Sequence, residues 1–247
     1  MPGPPLNIVP DAFWDVFVPY SWLHFFTLGV CVLVMAAIAW LGRAFSKTQA
    51  ARLRRALGVF GLVYWLSYNA WWNWHGVDVA TGLPLQICDV NGVIAPLALL
   101  TRSRFLRATL YYWSFALSTQ AFIQPALQVG PASLIFYWFW AQHTIILAYA
   151  VYDLAVLKFR PQWRDLMRCY AASAIYLAVV VPLNAAVGGD YGYLGNLPAD
   201  RIPPFVAGLG PWPARAVILV VLCITACAMV QLPWVMIRHV TRRREPA

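Results

Sequence analysis

Seven stretches of about 20 predominantly apolar residues follow one another along the chain, each long enough to cross a hydrocarbon core of roughly 30 Å. They run approximately over 20–41, 57–74, 83–100, 106–123, 133–157, 167–187 and 214–237. Backbone amides in lipid must be satisfied within the chain, so each stretch predicts a helix rather than a strand. The expected fold is an all-α integral membrane protein, a single seven-transmembrane-helix bundle over residues 1–247. The third stretch is the least regular, because it carries Pro84, Asp89, Asn91 and Pro96. A hairpin that re-enters the membrane is the alternative there. Residues 188–213, rich in Gly and Pro, read as a loop, and no internal repeat is evident.

Charge orients the bundle, since short loops rich in Lys and Arg stay cytoplasmic. Arg43, Lys47, Arg52, Arg54 and Arg55 follow the first stretch; Arg102, Arg104 and Arg107 the third; Lys158, Arg160, Arg164 and Arg168 the fifth; Arg238, Arg242, Arg243 and Arg244 the seventh. Of the 18 basic residues only Arg201 and Arg215 fall on the other side, with Asp11, Asp15, Asp78, Asp190 and Asp200. The N-terminus is therefore expected outside and the C-terminus inside, in the cell membrane. Spreading the charge over four inner margins argues against nucleic acid as the partner of a chain with a pI near 9.6 and for anionic lipid headgroups. No cleavable signal peptide is expected, because the first 19 residues hold no Lys or Arg.

Composition agrees, with 62% hydrophobic and 11% charged residues. All five cysteines map to spans or their ends, so free thiols rather than a disulfide framework are expected. Cys223 and Cys227 stand at i, i+4 without an accompanying His or acid, and neither a metal site nor a cofactor is expected. Trp71, Trp72, Trp74, Tyr137, Trp138, Trp140 and Trp212 cluster near outer span ends and read as an aromatic belt.

The polar residues within the spans crowd the outer half. Asn69 and Asn73 end the second; Gln86, Cys88, Asp89 and Asn91 open the third; Gln120 and Gln124 close the fourth; Gln142 and His143 lie in the fifth; Asn184 closes the sixth. A carboxyl group at such depth costs about 2.5 to 3.5 kcal/mol on insertion scales, so Asp89 beside the thiol of Cys88 marks a candidate site. At about 1.5 Å per residue, Cys88 falls roughly 8 Å below the outer end of its helix and His143 roughly 10 to 15 Å below its own. Thiol and imidazole can share a depth.

That convergence suits nucleophilic catalysis. A thiol needs a base, for which His143 is the histidine placed well inside a span, and Asn91, Gln120 or Asn184 offers amide donors for a tetrahedral oxyanion. The plain alternative is packing: small Cys residues, a histidine bonded to a neighbouring helix, and amides that join helices. Packing is the expected role of Cys31, Cys169, Cys223 and Cys227. Asp89 either pairs with Arg215 or orients His143, Asp153 pairs with the local basic cluster, and Tyr191 and Tyr193 either cap the site or lie at the interface.

The succession Leu83-Pro84-Leu85-Gln86-Ile87-Cys88-Asp89, Pro96-Leu97-Ala98-Leu99-Leu100, Gln124-Pro125, His143, Arg160-Pro161-Gln162-Trp163, Pro182-Leu183-Asn184, Asp190-Tyr191-Gly192-Tyr193-Leu194 and Leu209-Gly210-Pro211-Trp212-Pro213 resembles the YwaF-type bacterial integral membrane family, related to eukaryotic transmembrane protein 164. The resemblance implies an acyltransferase that moves a fatty acyl chain between phospholipids through a Cys, here Cys88, and a His, here His143. The chain departs at Gln86, where that family usually has His, and at Ala214-Arg215, which replace aromatic residues.

The expected function is a membrane-embedded phospholipid transacylase with phospholipid and lysophospholipid as substrates. Its site residues are Cys88 and His143, supported by Gln86, Asp89, Asn91, Gln120, Gln124 and Asn184. The alternative is a transporter or small-molecule-binding membrane protein with an outward polar pocket, and a seven-helix receptor is a third reading. A retinal protein is set aside, since a Schiff base needs an in-span lysine and Lys47 and Lys158 lie at inner loops. The sequence is silent on oligomeric state.

Overall fold

A computed structural model describes residues 14–244, with side chains to residue 240. Asp11 and the side chains of Arg242, Arg243 and Arg244 lie outside the described residues. The helices are α1 Trp22–Ala44, α2 Lys47–Trp72, α3 Ile87–Thr101, α4 Arg104–Tyr112, α5 Gln120–Ile123, α6 Leu134–Ala155, α7 Trp163–Val187, α8 Pro204–Ala207 and α9 Ala214–Arg244. Between α4 and α5 runs a π-helical turn, Trp113–Ser118. The described β pairing is an isolated bridge between Val16 and Val129.

Helical segments occupy all seven expected stretches, yet four of them, in α1, α6, α7 and α9, are both long and apolar enough to cross a membrane. The others differ for local reasons. Ser46 and Gln49 form a capping box that starts α2 at Lys47, ahead of the expected boundary, and brings Arg52, Arg54 and Arg55 into the helix. The 15 residues of α3 span only about 22 Å at roughly 1.5 Å per residue. It begins at Ile87 rather than near Leu83, because Pro84 biases its predecessor away from helical backbone and Gln86 is the extended N-cap. Residues 87–101 form one helix rather than a hairpin.

α3 lies at the centre, against α2, α4 and α6, while α1 packs on α6, α4 on α7, and α9 on the π turn and α7. Small residues permit the close approach: a Cβ on Gly61 would meet Tyr149 at 2.9 Å and Pro96 at 3.1 Å. Arg54 donates to the carbonyls of Leu99 and Leu100, closing the C-terminus of α3.

At this end of the bundle the buried carboxylates are paired. Arg107 Nε contacts both oxygens of Asp153 at 2.9 and 3.0 Å, as the sequence leads one to expect of a local basic cluster. Asp165, fully buried, is held by Arg104 at 2.6 Å and Arg168 at 2.6 Å. Phe159 receives the guanidinium of Arg107 on its face at 4.8 Å.

The opposite end is joined by neutral hydrogen bonds. Asn184 grips the Tyr191 backbone at both its N–H and its carbonyl, each at 2.9 Å. The Tyr191 hydroxyl donates to the Val79 carbonyl at 2.8 Å and accepts the Leu83 N–H at 3.0 Å, tying the 188–197 loop to the segment before α3. Gly192, at φ +68°, leaves no room for a side chain, since a Cβ would lie 2.6 Å from the Tyr176 hydroxyl. Asp78 accepts from the Ala80 N–H and the Thr81 hydroxyl, which holds its carboxyl below the ordinary range. Within the expected aromatic belt, Trp71, Trp72, Trp74, Tyr137 and Trp212 are exposed, whereas Trp140 is core, packed on Phe17, His24 and Phe122.

Candidate functional site

Cys88 sits in the first turn of α3, which places it at the helix N-terminus rather than a turn and a half inside. The Asp89 and Val90 N–H groups bond the Gln86 carbonyl at 2.8 and 3.0 Å. Those of Ile87 and Cys88 have no acceptor among the described residues, as expected at a helix start without a side-chain cap. Every residue from Leu83 to Val90 is half-buried, Cys88 among them, while Cys31, Cys169 and Cys227 are buried in packing positions and Cys223 is half-buried.

The Cys88 thiol donates to Ser118 Oγ at 3.7 Å. Asn91, one turn further along α3, donates through Nδ2 to Ser114 Oγ at 3.2 Å and Ser118 Oγ at 3.5 Å. Both serines belong to the π turn, where the Thr119 N–H reaches back five residues to the Ser114 carbonyl at 3.2 Å. Such turns recur at functional sites, and this one aims two hydroxyls at one face of α3. Asn91, Ser114 and Ser118 are fully buried.

On its other side α3 presents Asp89 to α2 and α6. Asp89 Oδ1 accepts from Gln142 Nε2 at 2.8 Å, and its main-chain oxygen accepts the Trp65 indole N–H at 2.8 Å. Neither expected role of Asp89 is found. No ion pair joins it to Arg215, which instead donates to the Gly195 carbonyl at 2.8 Å, and no hydrogen bond joins it to His143. The reason is angular: Gln142, not His143, is the residue of α6 turned toward α3.

His143, adjacent in sequence, is buried and donates through Nδ1 to the Phe139 carbonyl at 2.7 Å. A carbonyl only accepts, so the proton is on Nδ1 and Nε2 of the neutral ring is free to accept. Its ring packs on Phe139 at 4.4 Å and on Phe122 of α5 at 6.3 Å. Cys88 and His143 share no hydrogen bond; Cys88 bonds Ser118 and His143 packs on Phe122, both in the segment 113–123.

The supporting residues separate. Gln86 donates to the Asp190 carbonyl at 3.3 Å and accepts the Gly192 N–H at 2.9 Å, so it fastens the outer loop over the start of α3. Asn184 is engaged with Tyr191 and offers no free oxyanion donor, and Tyr191, 1% exposed, is a cap. Gln120 and Gln124 are exposed and make no side-chain bond to the cluster. A helix turns about 100° per residue, so Gln120 leaves the face that Ser118 occupies. Ser114, Ser118 and Gln142 are polar partners beyond the expected site residues, and the i, i+4 spacing of the two serines is their signal in the sequence. Two amide oxygens in the cluster, Asn91 Oδ1 and Gln142 Oε1, are buried without a partner.

Apolar helices around a buried polar cluster at one end define a helical membrane protein. The chain belongs to the TMEM164 family, whose family model matches residues 19–231, from the approach to α1 to Gln231 of α9. No curated protein and no solved structure matches the chain.

Proposed function

We propose that the protein spans the cell membrane seven times, N-terminus outside and C-terminus cytoplasmic, and acts as a phospholipid acyltransferase with Cys88 as nucleophile. One observation carries the reading: the Cys88 thiol stands at the N-terminus of α3 beside the unbonded N–H groups of Ile87 and Cys88. Donors so placed stabilise a tetrahedral oxyanion, and removal of one such donor typically costs about 2.7 to 4 kcal/mol. This backbone pair takes over the role expected of side-chain amides, whose N–H groups at Asn91 and Asn184 are already engaged.

The Cys88 sulfur attacks the ester carbonyl of a donor phospholipid, and its proton passes to His143 Nε2. The C–O bond of the tetrahedral intermediate breaks, the proton returns to the departing oxygen, and a lysophospholipid leaves a thioester behind. In the second half the acceptor hydroxyl of another lysophospholipid attacks the thioester, His143 relays its proton to the sulfur, and the free thiol returns. Cys88 rests on Ser118 and His143 on the Phe139 carbonyl, so the contact between them forms in the substrate complex, where bonds of this kind tighten. The loop fastened by Gln86, Tyr191 and Asn184 lies over the α3 N-terminus and keeps water from the thioester, which favours transfer over hydrolysis. Arg43, Arg102, Arg164 and their neighbours bind anionic headgroups at the cytoplasmic margin.

The test is acyl exchange between labelled phospholipid and lysophospholipid by purified protein, with mass spectrometry for a hydroxylamine-sensitive adduct on the Cys88 peptide. Exchange by Cys88→Ser equal to that of the wild type overturns the mechanism. The unpartnered oxygens of Asn91 and Gln142 favour a second reading, a pocket that accepts a solute bearing hydrogen-bond donors. Saturable uptake into vesicles without any thioester would select it.

A further inference from the structure

Arg215 is 2% exposed at the start of the 31-residue helix α9, and its bonds reveal an unanswered charge. Its Nη2 donates to the carbonyls of Gly195 at 2.8 Å and Leu197 at 3.4 Å. Its Nε is buried without a partner. The ion pairs among the described residues involve Arg104, Arg107 and Arg168, all at the other end of the bundle. Asp190 is within electrostatic reach but outside ion-pair distance, and its Oδ1 is taken by the Gly195 N–H at 2.8 Å.

A guanidinium removed from water without a counter-charge is costly. Here the positive end of the α9 dipole adds to the same sign, so both features attract an anion. A bare structural staple needs only donors to two carbonyls, which a neutral amide supplies; the charge and the unpartnered Nε–H are left over. The guanidinium fork matches two oxygens of a carboxylate or a phosphate, and phosphate is the one that lies at the level of a helix end where lipid headgroups begin. We infer that Arg215, with the N-terminus of α9, forms a binding site for a phosphate group at the end of the bundle that carries Cys88. The site stands independently of the acyl-transfer reading.

Purified full-length protein in an uncharged detergent is titrated with short-chain phosphatidic acid, with diacylglycerol of the same chains, and with inorganic phosphate, and thermal unfolding and native mass spectrometry are followed. Phosphatidic acid raises the unfolding temperature and gives a one-to-one adduct, whereas diacylglycerol does neither. A response to phosphatidic acid alone identifies a lipid headgroup as the source, and a response to inorganic phosphate as well identifies a free phosphate site. Arg215→Gln, which keeps a donor for the Gly195 carbonyl, weakens apparent phosphatidic acid binding about tenfold, the effect of one charge-assisted contact of about 1.4 kcal/mol. Arg215→Lys keeps part of the binding and serves where the Gln variant does not fold. Arg201→Gln, at an exposed arginine of the same end, leaves the response unchanged. Equal responses in Arg215→Gln and wild type, or an equal response to diacylglycerol, overturn the site and leave Arg215 a loop staple.

Discussion

The two ends of the bundle treat their buried and half-buried carboxylates in opposite ways. At the basic end, Asp153 and Asp165 are each met by guanidinium groups, one from Arg107 and two from Arg104 and Arg168. At the other end, Asp89 meets a neutral amide from Gln142, and Asp190 meets a backbone N–H from Gly195. A carboxylate that is paired and fully bonded holds helices together, and its removal strands the partner charges. One left with neutral donors beside a thiol at a helix N-terminus contributes little to holding the fold and remains available to a ligand. The contrast separates structure from chemistry more sharply than residue type does.

The largest expected effect is on chemistry at the neutral end. Cys88→Ser lowers acyl exchange by several orders of magnitude without moving the unfolding midpoint, while Cys223→Ser stays within a few-fold; the contrast breaks if both variants exchange equally. His143→Ala lowers both formation and discharge of the acyl-enzyme by about 10²- to 10⁴-fold, the range of general acid–base catalysis, read by single-turnover labelling.

Stability effects come next and are largest at the charged end. Asp165→Ala leaves Arg104 and Arg168 without their partner and loses about 3 to 5 kcal/mol in detergent unfolding. Asp89→Asn preserves an acceptor for Gln142 and loses less than about 1 kcal/mol. Equal losses would erase the distinction between the ends.

Double-mutant cycles sharpen it further. Asp153 and Arg107 couple by about 0.5 to 3 kcal/mol, whereas Asp89 and Arg215, which share no contact, add within about 0.5 kcal/mol. A coupling between Asp89 and Arg215 would restore the ion pair that the structure lacks.

The smallest effect is a pH dependence. Burial holds the Asp190 carboxyl above its ordinary range, against the opposing Gly195 N–H. The folded state therefore binds this proton more tightly than the unfolded chain. The contribution to stability is fully present below the unfolded pKa and is lost as pH rises through the raised folded value. Asp190→Asn, which still accepts from Gly195, flattens that part of the stability profile and slightly raises the midpoint at neutral pH, as thermal scans across pH would record.

The apolar stretches, the basic margins and the pairing of Asp153 with a neighbouring arginine follow from the sequence by itself, because hydropathy over about 20 residues and local charge act at short range. So does the clustering of polar residues at the start of α3, since Cys88, Asp89 and Asn91 occur together on one short segment. Tertiary structure alone decided which polar groups meet. The π turn brought Ser114 and Ser118 to Asn91, while Gln120 and Gln124 faced away. The angular setting of α6 gave Gln142 rather than His143 to Asp89. Each outcome depends on the rotation of one helix about its axis relative to another. Packing contacts set that rotation, and hydropathy along a chain apolar on nearly every face leaves it undetermined.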